Sequence, residues 1–266
     1  MLPSDQAERY RRNGAVFPLQ VLSEAEANHF AQQSDELEQQ LGGKPRTVEV
    51  RQMHLHFEWA YRLATNPLIL DAVEQILGPN LMIWATELFA KHPMDANVSI
   101  NWHRDQPYMG LSPEHITTAW VSLCHSNAEN GCMRVIPIVE DPNYPRDWSN
   151  DSEQLRPNEV PANLEKAIDV ILDPGQMSLH NPMVLHGSVA NLSQNKRIGF
   201  VIRFVRPDAR PRTDGIPAIL VRGQDNFGHF DLMPSPKFVD EKSSAVEQMR
   251  DSAAQHFDTV LSNLNQ

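Results

Sequence analysis

Cysteine is nearly absent. Cys124 and Cys132 are the two in a chain of 266 residues, too few for a disulfide framework or a cysteine-rich zinc site. Long apolar runs are missing as well: none approaches the ~20 residues that a membrane-spanning helix needs, so no membrane partner is expected. Positive charge is in deficit, with 23 Lys+Arg against 34 Asp+Glu and a net charge of −11. Nucleic-acid affinity comes largely from neutralising phosphates, so this balance argues against nucleic acid as a partner. The opening residues Met-Leu-Pro-Ser-Asp-Gln-Ala-Glu-Arg-Tyr lack the basic start and apolar core of a secretory signal, which leads to an expectation of a cytoplasmic protein. Internal repeats and low-complexity tracts are also missing. What is present is ordinary for a globular chain: 41% hydrophobic and 21% charged residues, outside the disordered range. One domain over 1–266 is expected; oligomeric state is not legible.

Two textures divide this chain. Residues 1–80 read as mainly helical. Ser23 with Glu26 three residues on is a capping box, opening a helix toward Leu41 that Gly42 and Gly43 stop. Leu55 to Ala64 and Pro67 to Leu77 read as two further helices, the second with proline in its first turn and Gly78-Pro79 as its end. From 81 to about 206 the segments become short, apolar or alternating. They are Leu81–Ala90, Val98–Trp102, Ile116–Cys124, Cys132–Ile136, Ala167–Leu172, Met177–Leu179, Met183–Val189 and Ile198–Val205. Turn residues separate them, as in Glu129-Asn130-Gly131 and Asp173-Pro174-Gly175. Many short strands without intervening helices favour a sandwich or barrel over a doubly wound sheet. Residues 139–166 form a proline-rich acidic insertion of the kind that serves as a lid. In the C-terminal extension, 207–266, a helix over Ser243–Leu264 puts Val246, Met249, Ala253, Phe257, Val260, Leu261 and Leu264 on one face.

The chemistry-bearing residues begin with Trp102-His103-Arg104-Asp105. At a strand end, alternation points His103 and Asp105 to one face, two-thirds of the facial triad that holds non-haem iron. Alone, His-x-Asp equally describes a solvated ion pair. Val184-Leu185-His186-Gly187-Ser188 supplies a third ligand, with Ser188 on the same face. Arg197 follows eleven residues after His186; if the two strands pair as a hairpin, it comes near Ser188. A guanidinium there matches a carboxylate bidentately.

Taken together, these motifs resemble the phytanoyl-CoA dioxygenase family of Fe(II)- and 2-oxoglutarate-dependent oxygenases. The likeness is densest in Trp102–Asp105, in Thr118-Ala119-Trp120 with Glu129 to Pro137, and in Met177 to Arg197. It implies a double-stranded β-helix (jelly-roll, cupin-like) core, mainly β with flanking helices. It implies His103, Asp105 and His186 as iron ligands, Arg197 and Ser188 on the distal carboxylate of 2-oxoglutarate, and Trp120 beside it. O₂ would be the second cosubstrate, and a small metabolite or natural-product intermediate would be hydroxylated at an aliphatic C–H. A carboxylate at Asp105 implies oxygen rather than halide chemistry. Asn191 and Gly131 read as structural members of the motif. The alternatives are a zinc hydrolase or lyase on the same His/Asp/His set, which leaves Arg197 without a use, and a non-catalytic jelly-roll binding protein, against which the intact triad argues.

Secondary candidates follow. Gln106 and Tyr108, just after the ligand pair, are expected substrate contacts, with His180 either facing the pocket or buried against backbone. Arg104 is expected to point away from the metal. Glu87, Phe89 and Lys91 have the alternation to face the interior. His54 and His56 read as a solvated helix face, and His229 as packing.

Overall fold

The computed structural model describes residues 4–144, 162–238 and 242–264; most of the 139–166 insertion, and with it the lid expectation, falls outside them. The elements in chain order are α1 (Ser4–Asn13), β1 (Ala15–Gln20), α2 (Glu24–Gln40), α3 (Glu58–Ala64), α4 (Pro67–Leu77), β2 (Leu81–Lys91), β3 (Ile100–His103), α5 (Gln106–Met109), β4 (Ile116–Ser122), β5 (Arg134–Ile136), β6 (Ile168–Asp169), β7 (Gln176–His180), β8 (Leu185–Ser188), β9 (Arg197–Val205), β10 (Pro217–Arg222), β11 (Asp231–Leu232) and α6 (Lys242–Leu264). A seven-stranded sheet, in the order β1-β7-β4-β9-β2-β10-β11, faces a four-stranded sheet, β3-β8-β5-β6. This is the double-stranded β-helix expected, mainly antiparallel with helices on its outside.

Local chemistry explains the helices. Ser23 and Glu26 close the capping box, Glu26 N–H donating to Ser23 Oγ (3.2 Å) and Ser23 N–H to Glu26 Oε2 (2.7 Å). Asn66 Oδ1 accepts from Leu68 N–H ahead of α4, whose Pro67 occupies its first turn. The dominant hydrophobic cluster lies between these helices and the outer face of the large sheet. From β9 it takes Ile198, Phe200, Ile202 and Phe204, and from the helices Ala27, Leu37, Ala60, Leu63, Ile69 and Val73. The alternate β9 residues, Arg197, Val201 and Arg203, therefore face inward, where they line the cavity between the sheets.

Several expectations are corrected. The first 80 residues are not purely helical: β1 forms the edge of the large sheet against β7, and Pro18 within it suits an edge position. The helix expected from Leu55 begins at Glu58, after a 3₁₀ turn over Met53–Leu55. Strands β10 and β11 extend the sheet beyond residue 206. Strands β8 and β9 do not form a hairpin; they belong to opposite sheets. On α6 the buried stripe is Val246, Met249, Ala253, His256 and Val260, whereas Phe257 and Leu261 are exposed; the Leu264 side chain lies outside those described. His54 is buried, its Nδ1 3.0 Å from Thr86 Oγ1, and half-buried His56 meets Ser252 Oγ at 2.9 Å, because the 50–56 segment is folded beneath β2 and α6. No described helix is long and apolar enough to cross a membrane.

Candidate metal centre and its cavity

Cross-strand register builds the centre. His103 on β3 pairs directly with His186 on β8, and their rings lie 4.2 Å apart between centroids. Asp105 follows β3, its backbone held by Pro182, whose carbonyl accepts from Asp105 N–H (2.9 Å) and Gln106 N–H (3.1 Å). Asp105 Oδ1 is 3.4 Å from His103 Nε2 and 3.8 Å from His186 Nε2. One ligand atom from each of His103, Asp105 and His186 lies within 4.8 Å of the others.

The outer contacts of the imidazoles test whether this set suits a metal. His103 Nδ1 lies 2.8 Å from Asn101 O, and His186 Nδ1 lies 2.9 Å from Val184 O. A carbonyl can only accept, so both rings carry a proton on Nδ1 and turn Nε2, the atom left for a metal, toward Asp105. That is the second-sphere arrangement of metal-binding histidines. Burial, with His103 nearby, drives the His186 pKa down to about 3, keeping the ring neutral as a ligand must be. Burial also opposes a charge on Asp105, but Arg203, His103 and His186 together hold its pKa well below the usual range. Burial opposes a charge on His103, but the hydrogen bond and charge of Asp105 raise its pKa, so this ring gives up its Nε2 proton as a metal takes its place. Two imidazoles and a carboxylate with one open side are the donor set of a mononuclear non-haem iron site.

Beside the triad the sheets enclose a cavity of about 350 Å³ lined by all three ligands. One end of it is cationic. Arg197 is buried, donates from Nη1 to Gly131 O (2.8 Å), and holds its Cζ 5.2 Å from the Trp120 ring centroid. Lys91 sits opposite Arg197 in the β2–β9 register and donates to Ser188 Oγ at 2.6 Å and to the Val189 carbonyl. Burial and the neighbouring Arg197 lower the Lys91 pKa to about 7. Arg197, Ser188 and Trp120 thus converge as expected, although across the two sheets. The expectation that Lys91 and Glu87 would face inward holds, but they do not pair with each other. Gly131, at φ +73°, is turned so closely that a Cβ would lie 2.4 Å from Val189 O. Asn191 ties the loop after β8 by donating to Lys91 O and Asn195 O.

The secondary candidates separate. Tyr108 lines the cavity, its ring edge-on to His103 at 6.2 Å. Buried Gln106 instead lines a neighbouring hollow with His115 and Asp208, which corrects its expected substrate contact. The chain enters α5 directly after Asp105, and two residues along a helix are about 200° apart. His180 faces the centre, with Nε2 3.9 Å from Asp105 Oδ2 and a buried Nδ1 lacking a hydrogen-bond partner. Arg104 points away from the triad, as expected, toward Asp141 Oδ2 (2.6 Å) and Met183 O (2.6 Å). His229 packs on Phe227 and meets Ala209 O at 3.1 Å.

Arg51, Trp84, Glu87, Arg203 and His256 complete the opposite end of the cavity. Nothing in the sequence singled out Trp84, Arg203 or His256. Arg203 was accessible there through period-2 alternation from Arg197. Arg51 and His256 were not, since each depends on how a distant segment folds back.

Fold and donor set together define a mononuclear non-haem iron protein on a double-stranded β-helix. The family described as "Phytanoyl-CoA dioxygenase (PhyH)" matches residues 10–199, and the chain belongs to that family. It is 27% identical to human peroxisomal phytanoyl-CoA dioxygenase over 157 residues, covering 56% of this chain and 46% of that protein. A 2-aminoethylphosphonate dioxygenase from an uncultured bacterium is 26% identical, covering 52% of this chain and 51% of that one. The chain thus spans about half the length of the mammalian relatives it matches. Among solved structures, the apo form of the non-haem monooxygenase ThoJ superposes with a TM-score of 0.81 at 30% identity, over 98% of this chain and 99% of that one. The epimerase SnoN, solved with Fe3+, α-ketoglutarate and nogalamycin RO, shares the fold at TM-score 0.65 and 24% identity, over 79% of this chain and 85% of that one.

Proposed function

We propose that the protein is an Fe(II)- and 2-oxoglutarate-dependent dioxygenase that hydroxylates an aliphatic C–H of a small metabolite or natural-product intermediate. The observation that carries the reading is the His103/Asp105/His186 cluster with both Nδ1 atoms committed to backbone carbonyls. Fe(II) held there, with 2-oxoglutarate and O2, would supply the oxidant: one oxygen atom would enter succinate as CO2 leaves, and the other would enter the substrate as hydroxyl.

The chain's own residues would do the remainder. His103, Asp105 and His186 hold the metal and leave three positions open. Arg197 and Lys91, with Ser188 between them and the centre, give the distal carboxylate of a keto-diacid two cations and a hydroxyl in a buried setting. There, charge-assisted hydrogen bonds are strong. Trp120 walls that subsite beneath the Arg197 guanidinium. The enclosed cavity orients the substrate and limits water. A zinc hydrolase on the same triad would leave the Arg197–Lys91 pair without a use.

The test is an anaerobic titration of 2-oxoglutarate into the Fe(II)-loaded protein. A visible charge-transfer band should appear, and admission of air should yield succinate. Metal binding without any 2-oxoglutarate complex would reject the reading.

A further inference from the structure

The end of the cavity remote from Arg197 carries a second, unspent cationic site. Arg203 lies six residues along β9 from Arg197, roughly 20 Å at strand spacing, so the two guanidiniums serve opposite ends of the interior. Arg51 comes from the segment before α3 and bridges in backbone to Glu87. Between them lies one carboxylate: Glu87 Oε1 is 3.1 Å from Arg51 Nε, and Glu87 Oε2 is 2.9 Å from Arg203 Nη1. Arg51 Nε and Arg203 Nη1 are thus taken up by Glu87, whereas Arg51 Nη1 is buried with no hydrogen-bond partner among the described residues. Asp105 Oδ2, 3.8 Å from Arg203 Nη2, belongs to the iron-binding set. His256 completes the wall: burial lowers its pKa to about 4, so it adds no charge near neutrality. Two permanent cations therefore share one carboxylate outside the iron-binding set, and the Arg51 Nη1 donor stays buried and unsatisfied, a costly arrangement unless a ligand completes it.

We propose that Arg51 and Arg203 bind a carboxylate of the substrate, so that the molecule oxidised is a small organic acid entering with its acid group away from Arg197. This rests on the oxygenase reading and narrows its substrate class. Helix α6 holds the site in place: Phe257 packs under the Arg51 guanidinium at 5.8 Å, and His256 stacks on Trp84 at 5.1 Å between ring centroids. Val260 adds an apolar wall to the same cavity. The acid group would sit by the guanidiniums and the alkyl portion against Trp84, Met109 and Val260.

The experiment uses the full chain loaded with Fe(II) and saturated with 2-oxoglutarate under argon, which fills the Arg197 end. Calorimetric titrations compare butyrate and N-acetylglycine with butyramide and N-acetylglycinamide, with butylammonium as the opposite charge and propylphosphonate as a bulkier oxyanion. The carboxylates should bind about tenfold or more tighter than the amides. Arg51→Gln should erase that preference, and Arg51→Lys should retain much of it. Amides binding as well as acids, butylammonium or propylphosphonate binding more tightly than butyrate, or no probe binding to a sample that shows the charge-transfer band would each overturn the carboxylate assignment. Because the comparison among probes is made on the unaltered protein, a misfolded Arg51→Gln variant does not blunt it. A sample that forms no charge-transfer band overturns the oxygenase reading itself, and the narrower proposal falls with it.

Discussion

Gly199 gives the Trp120 indole its seat. Trp120 pairs with Val201 in the β4–β9 register, so Gly199 lies diagonally across the ladder from it, and a Cβ on Gly199 would lie 2.0 Å from Trp120 Cζ2. Trp120 in turn carries the Arg197 guanidinium on its ring. Gly199→Ala should therefore act on the cosubstrate end of the cavity through the indole. We expect about tenfold weaker binding of 2-oxoglutarate and roughly 1–3 kcal/mol of lost stability, the range for overpacking a filled interior. Equilibrium titration and urea unfolding of the same variant measure both; unchanged affinity would detach Trp120 from the subsite.

His186→Ala should remove iron binding outright, because it deletes a ligand. Its effect should exceed the about 10–100-fold cost of losing an outer hydrogen-bond partner. Anaerobic Fe(II) titration measures it, and full stoichiometric uptake by the variant would refute the ligand assignment.

Lys91, with its pKa lowered to about 7, sets the pH dependence of cosubstrate binding. A dianion favours the ammonium form, so 2-oxoglutarate affinity should fall as pH rises through and above about 7. Dissociation constants between about pH 6 and 9 should show the slope, and Lys91→Met should bind weakly with the slope removed. A slope that survives in the variant would assign it to another group.

Arg104 has a different task from its two neighbours. It is fully buried and meets Asp141 at 2.6 Å; losing it leaves that carboxylate buried without its cation. Arg104→Met should cost about 3–5 kcal/mol, read by chemical denaturation. A loss below 1 kcal/mol would mean that Asp141 finds water.

Acid lability follows from buried histidines outside the metal set, His54 and His256 among them, with His180, its pKa lowered by burial to about 4, a third. Burial lowers the His54 pKa to about 3 and the His256 pKa to about 4, against roughly 6.5 when unfolded. These contributions are complete above the unfolded value and are lost as pH falls below it. Each should cost about 1.4 kcal/mol per pH unit until its folded pKa is reached. Melting curves between about pH 7 and 4.5 test this, and His54→Gln should flatten them.

How much of this was legible in the sequence differs from one end of the cavity to the other. His103, Asp105 and His186 stood out because strand alternation and residue chemistry agree at short range. Arg197 came from the family resemblance, since the hairpin that its spacing from His186 suggested does not form: β8 and β9 lie in opposite sheets. Ser23 with Glu26 announced α2 because a cap is a local bond. Gln106 misled because the expectation assumed a loop where the chain winds into α5, turning that side chain out of the cavity. Arg51 and His256 were hidden for another reason: 205 residues separate them, and only the docking of α6 brings both to Glu87. His54 misled similarly, its solvated appearance coming from a segment that later elements cover.

The family match ends at residue 199, whereas Arg203, His256 and Val260 follow it. On the carboxylate proposal, the matched portion would hold the iron, and the acid-binding end would be built jointly by it and by the remainder. Cousins with unrelated tails could burn the same fuel on different cargo. Exchanging only the residues after β9, 207–266, would then be a way to re-aim such a catalyst while leaving Arg203 beside Asp105.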